Sequence, residues 1–254
     1  MLVGGLDKRR LPWQSPIQAK GLEKYVYSAR ELIDAIGYFT KLNVDSLPVG
    51  DTLPVRGLKI IVAAPLTIKS PIIIPAQCIG LEICSTGHCP VYPSGVVSDL
   101  FKVGAALVSI HDLLIISLST TQVFSNFVKV NASLADYLRV LNNHVVADQV
   151  FTSDATNDSA GAIVQGNYQQ VINNTHSASI VMNGSNCKIM GNVLHDGGGD
   201  GITMATGRDC VIMGNDLGGS DITSSGSTGY NTIGLNTQVG TITRHARDAV
   251  GLNT

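Results

Sequence analysis

The chain has 254 residues, 44% of them hydrophobic but only 5% aromatic and 14% charged, with 27 Gly. This balance describes a core of stacked Ile, Val, Leu and Ala rather than one built from large rings. A formal net charge of −2 and the lack of an extended Lys/Arg run give no electrostatic case for nucleic acid as a partner, and the unbroken composition favours one elongated domain.

Residues 1–27 read as an extended arm without a core of its own, because Pro12, Trp13 and Pro16 interrupt a stretch of mixed polarity. Lys8, Arg9, Arg10 and Trp13 are its candidate partner-binding residues. The three cations are not followed by an apolar stretch of signal-peptide length, and no later segment has ~18 consecutive apolar residues. The expectation is therefore neither Sec-type export nor a membrane span. Residues 28–37 follow with apolar positions at Ala29, Leu32, Ile33 and Ile36 and a possible capping box from Ser28 to Glu31. That spacing predicts one short amphipathic helix capping the domain behind it.

From Leu58 onward the pattern changes to short apolar strands. Leu58 to Ala63, Leu66 to Ile68 and Ile72 to Ile74 are separated by Pro65 and Pro71, and the series continues through Leu81 to Ile83, Phe101 to Val103, Leu107 to Ile110, Leu113 to Ile116 and Phe127 to Val130. Thereafter a signature repeats. Leu138 to Asn143, Ala162 to Asn167, Cys187 to Asn192, Cys210 to Asn215 and Asn231 to Asn236 each carry a short apolar strand closed by Asn, usually as Gly-Asn. The closing Asn recurs at 143, 167, 192, 215 and 236, in steps of 24, 25, 23 and 21.

A step of this size is too short for a helix-pair repeat or a propeller blade, and the closely spaced leucines of leucine-rich repeats are missing. The remaining reading is a parallel β-solenoid, with Gly-Asn turning each corner through a left-handed backbone. A second strand in each later coil repeats Ile at 180, 202 and 222, so both strands stay in register. Coils stacked at ~4.8 Å make a rod on the order of 40 Å long if about eight of them lie between Leu58 and Arg244. The domain then spans 28–242, and residues 243–254 form a tail that covers the open end or binds a partner. Asn143, Asn167, Asn192, Asn215 and Asn236 are expected to stack as a structural amide ladder. Cys187 and Cys210 occupy equivalent positions and should stack one coil apart as small buried hydrophobes.

The helix over residues 31–36, the segment Ile60 to Ile68 and the run Pro71 to Pro75, followed by the Gly-Asn coils, resemble the pectate-lyase-like right-handed parallel β-helix superfamily, and bacteriophage tailspike and virion proteins most of all. The resemblance covers roughly residues 28–240 and implies an all-β, single-stranded solenoid. It also implies a homotrimer whose partners are phage capsid or tail proteins. The superfamily includes lyases, hydrolases, depolymerases and purely structural virion proteins, so fold does not settle activity.

Chemistry is sparse in this sequence. The best acidic neighbourhood is His195-Asp196-Gly197-Gly198-Gly199-Asp200, with Asp209, Asp216 and Asp221 on adjoining coils. A glycosidase needs two carboxylates roughly 5–10 Å apart across a groove. Asp196, Asp200 and Asp209 are the candidates if the chain cleaves a glycan, although the paired Asp-Asp and Arg-x-Lys elements of polygalacturonases are absent. The same turn read blandly needs Gly for positive φ and Asp to bond its own backbone. Cys84 and Cys89 are the pair closest in sequence, and the histidines are spread without ligand spacing, so no metal or cofactor is expected. No phosphate loop, dinucleotide fingerprint or nucleophile elbow is present.

Two readings follow. The first is a non-enzymatic virion protein, a capsid decoration or short tail spike. The second is a depolymerase or lyase acting on bacterial surface polysaccharide. Sugar grooves of that kind normally present aromatics, and the single Trp lies in the arm, which favours the structural reading.

Overall fold

The computed structural model describes residues 23–45, 58–87, 89–131, 135–153, 160–170, 178–195, 200–224 and 229–254. The candidates Lys8, Arg9, Arg10, Trp13 and Asp196 lie outside these residues. Within them the chain winds as a parallel β-solenoid with three sheets. The first sheet has ten strands, from Glu23–Val26 and Lys59–Val62 through Glu82–Ser85 to Ala249–Val250; the second has six, from Leu66–Ile68 to Val193–His195; the third has eight, from Ile72–Ile74 to Ile242–Thr243. Each coil visits the sheets in that order. Six coils carry all three strands. Beyond Val193–His195 the second sheet is reduced to single bridges, Val193 to Asp216 and Asp216 to Thr237.

In-register parallel pairing keeps like residues above one another, and loops outside the sheets take up differences in coil length. In the third sheet Ile72, Phe101, Val128, Phe151, Ile180, Ile202, Ile222 and Ile242 form one in-register column. In the first sheet Ile60, Ile83, Ile110, Val140, Val164, Ile189, Ile212 and Ile233 form another, and every one of them is buried. Backbone hydrogen bonds run along the rod and these aliphatic columns remove apolar surface from water at right angles to it. Contrary to a purely aliphatic core, all five phenylalanines are buried. Phe101 and Phe127 meet edge to face with centroids 6.0 Å apart, a favoured ring geometry.

The helix spans Ala29–Asp45 and so runs past its expected end. The Glu31 amide donates to Ser28 Oγ at 3.2 Å, and Glu31 Oε2 accepts from the Tyr27 amide at 2.7 Å. Its buried face is Leu32, Ala35, Ile36 and Phe39, while Ile33 stands half exposed. Phe39 extends the apolar stripe by a turn, and this longer stripe rotates Ile33 off the packing face. Residues 23–26, taken from sequence as the end of an arm, are instead the first strand of the ten-stranded sheet, paired with Lys59–Val62. At the other end Ala249–Val250 pairs with Thr232–Gly234, so the expected tail contributes one more coil.

The corner between the first and second sheets is set by a residue in the left-handed region. Asp112, Asn142, Gly166, Gly191, Gly214 and Leu235 occupy it with φ of 55°, 52°, 66°, 60°, 65° and 55°. The residue after each turns inward. From the second of these corners onward it is Asn143, Asn167, Asn192, Asn215 and Asn236, all buried. Each Oδ1 accepts both the backbone N–H and the side-chain Nδ2–H of the previous Asn, as in Asn167 to Asn192 at 3.1 and 3.0 Å and Asn192 to Asn215 at 3.0 and 2.9 Å. The second Nδ2 proton goes back to a first-sheet carbonyl of the preceding coil, Val164 for Asn192 and Ile189 for Asn215. The column starts at the Leu113 amide, which donates to Asn143, and continues past Asn236 to Asn253.

Replacing Asn192 by Ala removes the acceptor of two Asn167 donors and the donor to Val164 in one step. Each buried group left unmatched costs about 1–3 kcal/mol, so Asn192→Ala should lose on the order of 3 kcal/mol or more in urea unfolding, and Asn253→Ala, at the open end, under about 1 kcal/mol. Gly166→Ala and Gly191→Ala offer a second comparison. Both impose a side chain on left-handed backbone, worth about 1–2 kcal/mol, but only at Gly166 would the added methyl run into Asn142 Oδ1. Gly166→Ala should therefore show the larger fall in unfolding midpoint.

Candidate functional site

Six successive coils enter the first sheet through a second left-handed corner, at Leu107, Tyr137, Gly161, Asn186, Asp209 and Tyr230, with φ of 59°, 57°, 68°, 60°, 56° and 65°. The residue after it packs inward, giving the buried column Val108, Leu138, Ala162, Cys187, Cys210 and Asn231. The corner residue itself projects outward, so Tyr137 and Tyr230 are 59% and 57% exposed. On the last coils this corner borders an open cavity of about 340 Å³, lined by Gly184, Ser185, Thr206, Arg208, Tyr230 and Arg247 among others. The Arg247 guanidinium lies 5.4 Å from the centroid of the Tyr230 ring, within range of a cation–π contact. Arg208 faces Asp209 at 3.7 Å with both side chains more than half exposed. An aromatic face, two guanidiniums and two hydroxyl-bearing residues are the complement of an anionic, hydroxyl-rich ligand.

The acidic candidates do not converge there. Asp200 opens the strand Asp200–Thr206, and Asp209 lies beyond its far end; a strand of seven residues is roughly 20 Å long. Asp200 is instead the register partner of Asp221 on the next coil. Both already carry structural bonds. Asp200 Oδ2 accepts from Thr203 Oγ1 at 3.0 Å, and Asp221 Oδ1 accepts the Thr241 amide of the following coil. Asp216 Oδ1 accepts from the Gly218 amide at 3.3 Å.

Cys187 and Cys210 stack on adjacent coils as buried thiols with no disulfide between them. They are more than apolar filler. The Cys187 amide donates to Cys210 Sγ at 3.4 Å, and Cys210 Sγ–H reaches the Gly184 carbonyl at 3.2 Å. Its thiol contact with Cys210, and then burial, push the Cys187 thiol above its ordinary range. One coil further the thiol is replaced by an amide, since the Cys210 amide donates to Asn231 Oδ1 at 3.1 Å. The column ends on Asp248, which residue spacing did not single out. Its Oδ1 accepts the Asn231 amide and Nδ2, and its Oδ2 accepts Ser224 Oγ at 2.6 Å and the His245 amide at 3.1 Å.

Cys84 and Cys89 are both free, so no disulfide joins them. Among the described residues Glu82, Cys84 and His111 form a group of potential metal ligands, and that group excludes Cys89. Burial pushes the Cys84 thiol up, and a hydrogen bond to Glu82 raises Lys59. Burial opposes ionisation of Glu82, yet hydrogen bonds from Lys59 and His111 hold its carboxyl below the usual range.

The sequence matches no protein-family model and no curated protein. The structure does find a counterpart. The crystal structure of the Dettilon tailspike protein superposes with a TM-score of 0.63 at 16% identity, over 94% of this chain. The fold is a right-handed parallel β-helix of the tailspike type. This β-helix spans about half of the tailspike, 48% of its length. No helix among the described residues is long and apolar enough to cross a membrane.

The Asp248 carboxylate fastens the last coil to those before it through three bonds, from Ser224 and Asn231, and holds its own turn through the His245 amide. Asp248→Ala strands the buried Asn231 donors and Ser224, so the last coils should loosen at a cost of about 2–4 kcal/mol. Hydrogen exchange should show the loss confined to residues from about 220 onward, with the amides of residues 108–131 unchanged.

Proposed function

We propose that this chain is a non-enzymatic structural protein of a bacteriophage virion, either a capsid decoration or a short tail spike, that acts as a homotrimer and is held to the particle by its terminal segments. The observation that carries this reading is the superposition on a tailspike β-helix over nearly the whole chain. The fate of the acids supports it: Asp221 and Asp248 spend their oxygens joining coils, and Asp200 Oδ2 accepts from Thr203 of its own strand. A protein of this design serves as a stiff spacer, because extension breaks many in-register backbone bonds together.

The cavity beside Tyr230 and Arg247 supports a second reading, a depolymerase or lyase acting on acidic bacterial surface polysaccharide. There the tyrosine would stack on a sugar ring and Arg208 and Arg247 would neutralise its carboxylate, with Asp209 the adjacent carboxylate.

Sedimentation equilibrium of the purified full chain should give three times the 26.7 kDa chain mass; a monomer would remove the trimer from the proposal. Incubation with capsule or lipopolysaccharide, read by reducing-end and unsaturated-uronate assays, should release nothing. Release that is lost in Asp209→Ala and Arg247→Ala, but kept in Asp112→Ala, would establish the second reading instead.

A further inference from the structure

The first sheet turns alternate side chains outward, and in its early coils those outward residues are chemically unusual for a solenoid surface. Glu82 and Cys84 are two apart on one strand, so both point to the same side. Parallel pairing then sets His111 of the next coil directly against Cys84, and Lys59 of the previous coil against Glu82. The carboxylate, thiol and imidazole ligand atoms all lie within 4.8 Å of one another.

The contacts of His111 are the decisive feature. Its Nε2 is 2.9 Å from Glu82 Oε1, and its Nδ1 is 2.7 Å from Asp112 Oδ2. The Asp112 contact leaves the Nδ1 proton in place when Nε2 gives its lone pair to a metal ion. Lys59 supplies a cation to the same Glu82 oxygen at 2.7 Å. Asp112, at the left-handed corner, holds Nδ1, which is the outer carboxylate–histidine arrangement found behind metal-bound imidazoles.

We propose that Glu82, Cys84 and His111 Nε2 bind a divalent transition-metal ion, with zinc the best match, and that Asp112 positions the imidazole. Thiolate, imidazole and carboxylate together suit zinc rather than magnesium or calcium, which take oxygen ligands. Zinc–ligand bonds of about 2.0–2.3 Å put tetrahedral ligand atoms roughly 3.5 Å apart, so the present spread needs to contract by little more than 1 Å. On binding, the Cys84 thiol proton passes to solvent and Lys59 leaves Glu82 Oε1. The Lys59 side chain is about one-third exposed and can swing outward. Three protein ligands leave the fourth position to water on the exposed side of Glu82. The ion would tie two successive coils together through their side chains, next to the helix-capped end.

The full chain, stripped with chelator and titrated with zinc alone, should take up one ion per chain and show a melting temperature that rises with zinc concentration. Cobalt(II) in its place should give thiolate-to-cobalt charge-transfer absorption and intense tetrahedral visible bands. Cys84→Ser and His111→Gln should abolish both signals while keeping the parent circular dichroism without metal; Cys89→Ser should keep them. Asp112→Asn should weaken affinity about 10–100-fold, and Lys59→Gln, by removing the competing cation, should strengthen it. No stoichiometric uptake at micromolar zinc, or a charge-transfer band that survives in Cys84→Ser, would overturn the proposal. A Lys59→Gln variant with unchanged zinc affinity would equally overturn the proposed exchange at Glu82.

Discussion

An interior asparagine amide brings one acceptor oxygen and two donor protons, and inside a solenoid only the coils on either side can meet them. Here the oxygen takes two protons from the previous Asn, while the nitrogen serves the next Asn and a carbonyl behind it. No polar valence is left open, so the row adds hydrogen bonding without the cost of a stranded buried group. Satisfaction of this kind demands that each coil rise by the same step and turn the same corner. One misplaced coil would orphan donors on both sides of it. The recurring left-handed residue before each Asn and the registered apolar columns can both be read as conditions for keeping that row intact.

The same logic appears with different atoms along the opposite corner of the first sheet. There the inward position changes from Val108 and Leu138 to Ala162, then to Cys187, Cys210 and Asn231, and the row closes on Asp248. The trend from apolar to polar follows the thinning of the rod. As the second sheet shrinks to single bridges, less apolar surface is available to bury, and side-chain hydrogen bonds take over the task of joining coils. Outward positions at that corner carry no such duty. They vary freely among Leu107, Tyr137, Asp209 and Tyr230, and the cavity flanked by Tyr230 and Arg247 arises where an aromatic and a cation fall on neighbouring coils.

Much of the architecture was legible because a solenoid writes its stacking into the chain as a period. The Asn spacing and the Ile series at 180, 202 and 222 are visible without coordinates, since residues one coil apart in sequence are neighbours in space. Misplacements occur where the period breaks. Asn253 follows Asn236 by only 17 residues because the final coil has lost part of its circuit, so a ruler of 21 to 25 steps past it. Glu23–Val26 carries no repeat mark, and Pro12 and Pro16 upstream made it look like arm. Gln169 is buried in the second-sheet column where Val145 and Leu194 stand on either side. Its Nε2 donates to the Ala147 and Asp148 carbonyls, and no local pattern announces that.

By itself the sequence determined the coil: a short apolar strand, a residue able to take positive φ and an inward asparagine, repeated, leave the backbone no other way to bury its apolar side and satisfy its amides. Which side chains meet across coils was decided only by the tertiary structure. Glu82 and His111 are 29 residues apart, and Tyr230 and Arg247 are 17 apart. The first separation spans a coil longer than the asparagine step and the second a coil shorter than it. Loops of unequal length absorb such differences outside the sheets, so the register that brings these groups into contact is set by strand pairing and not by counting along the chain.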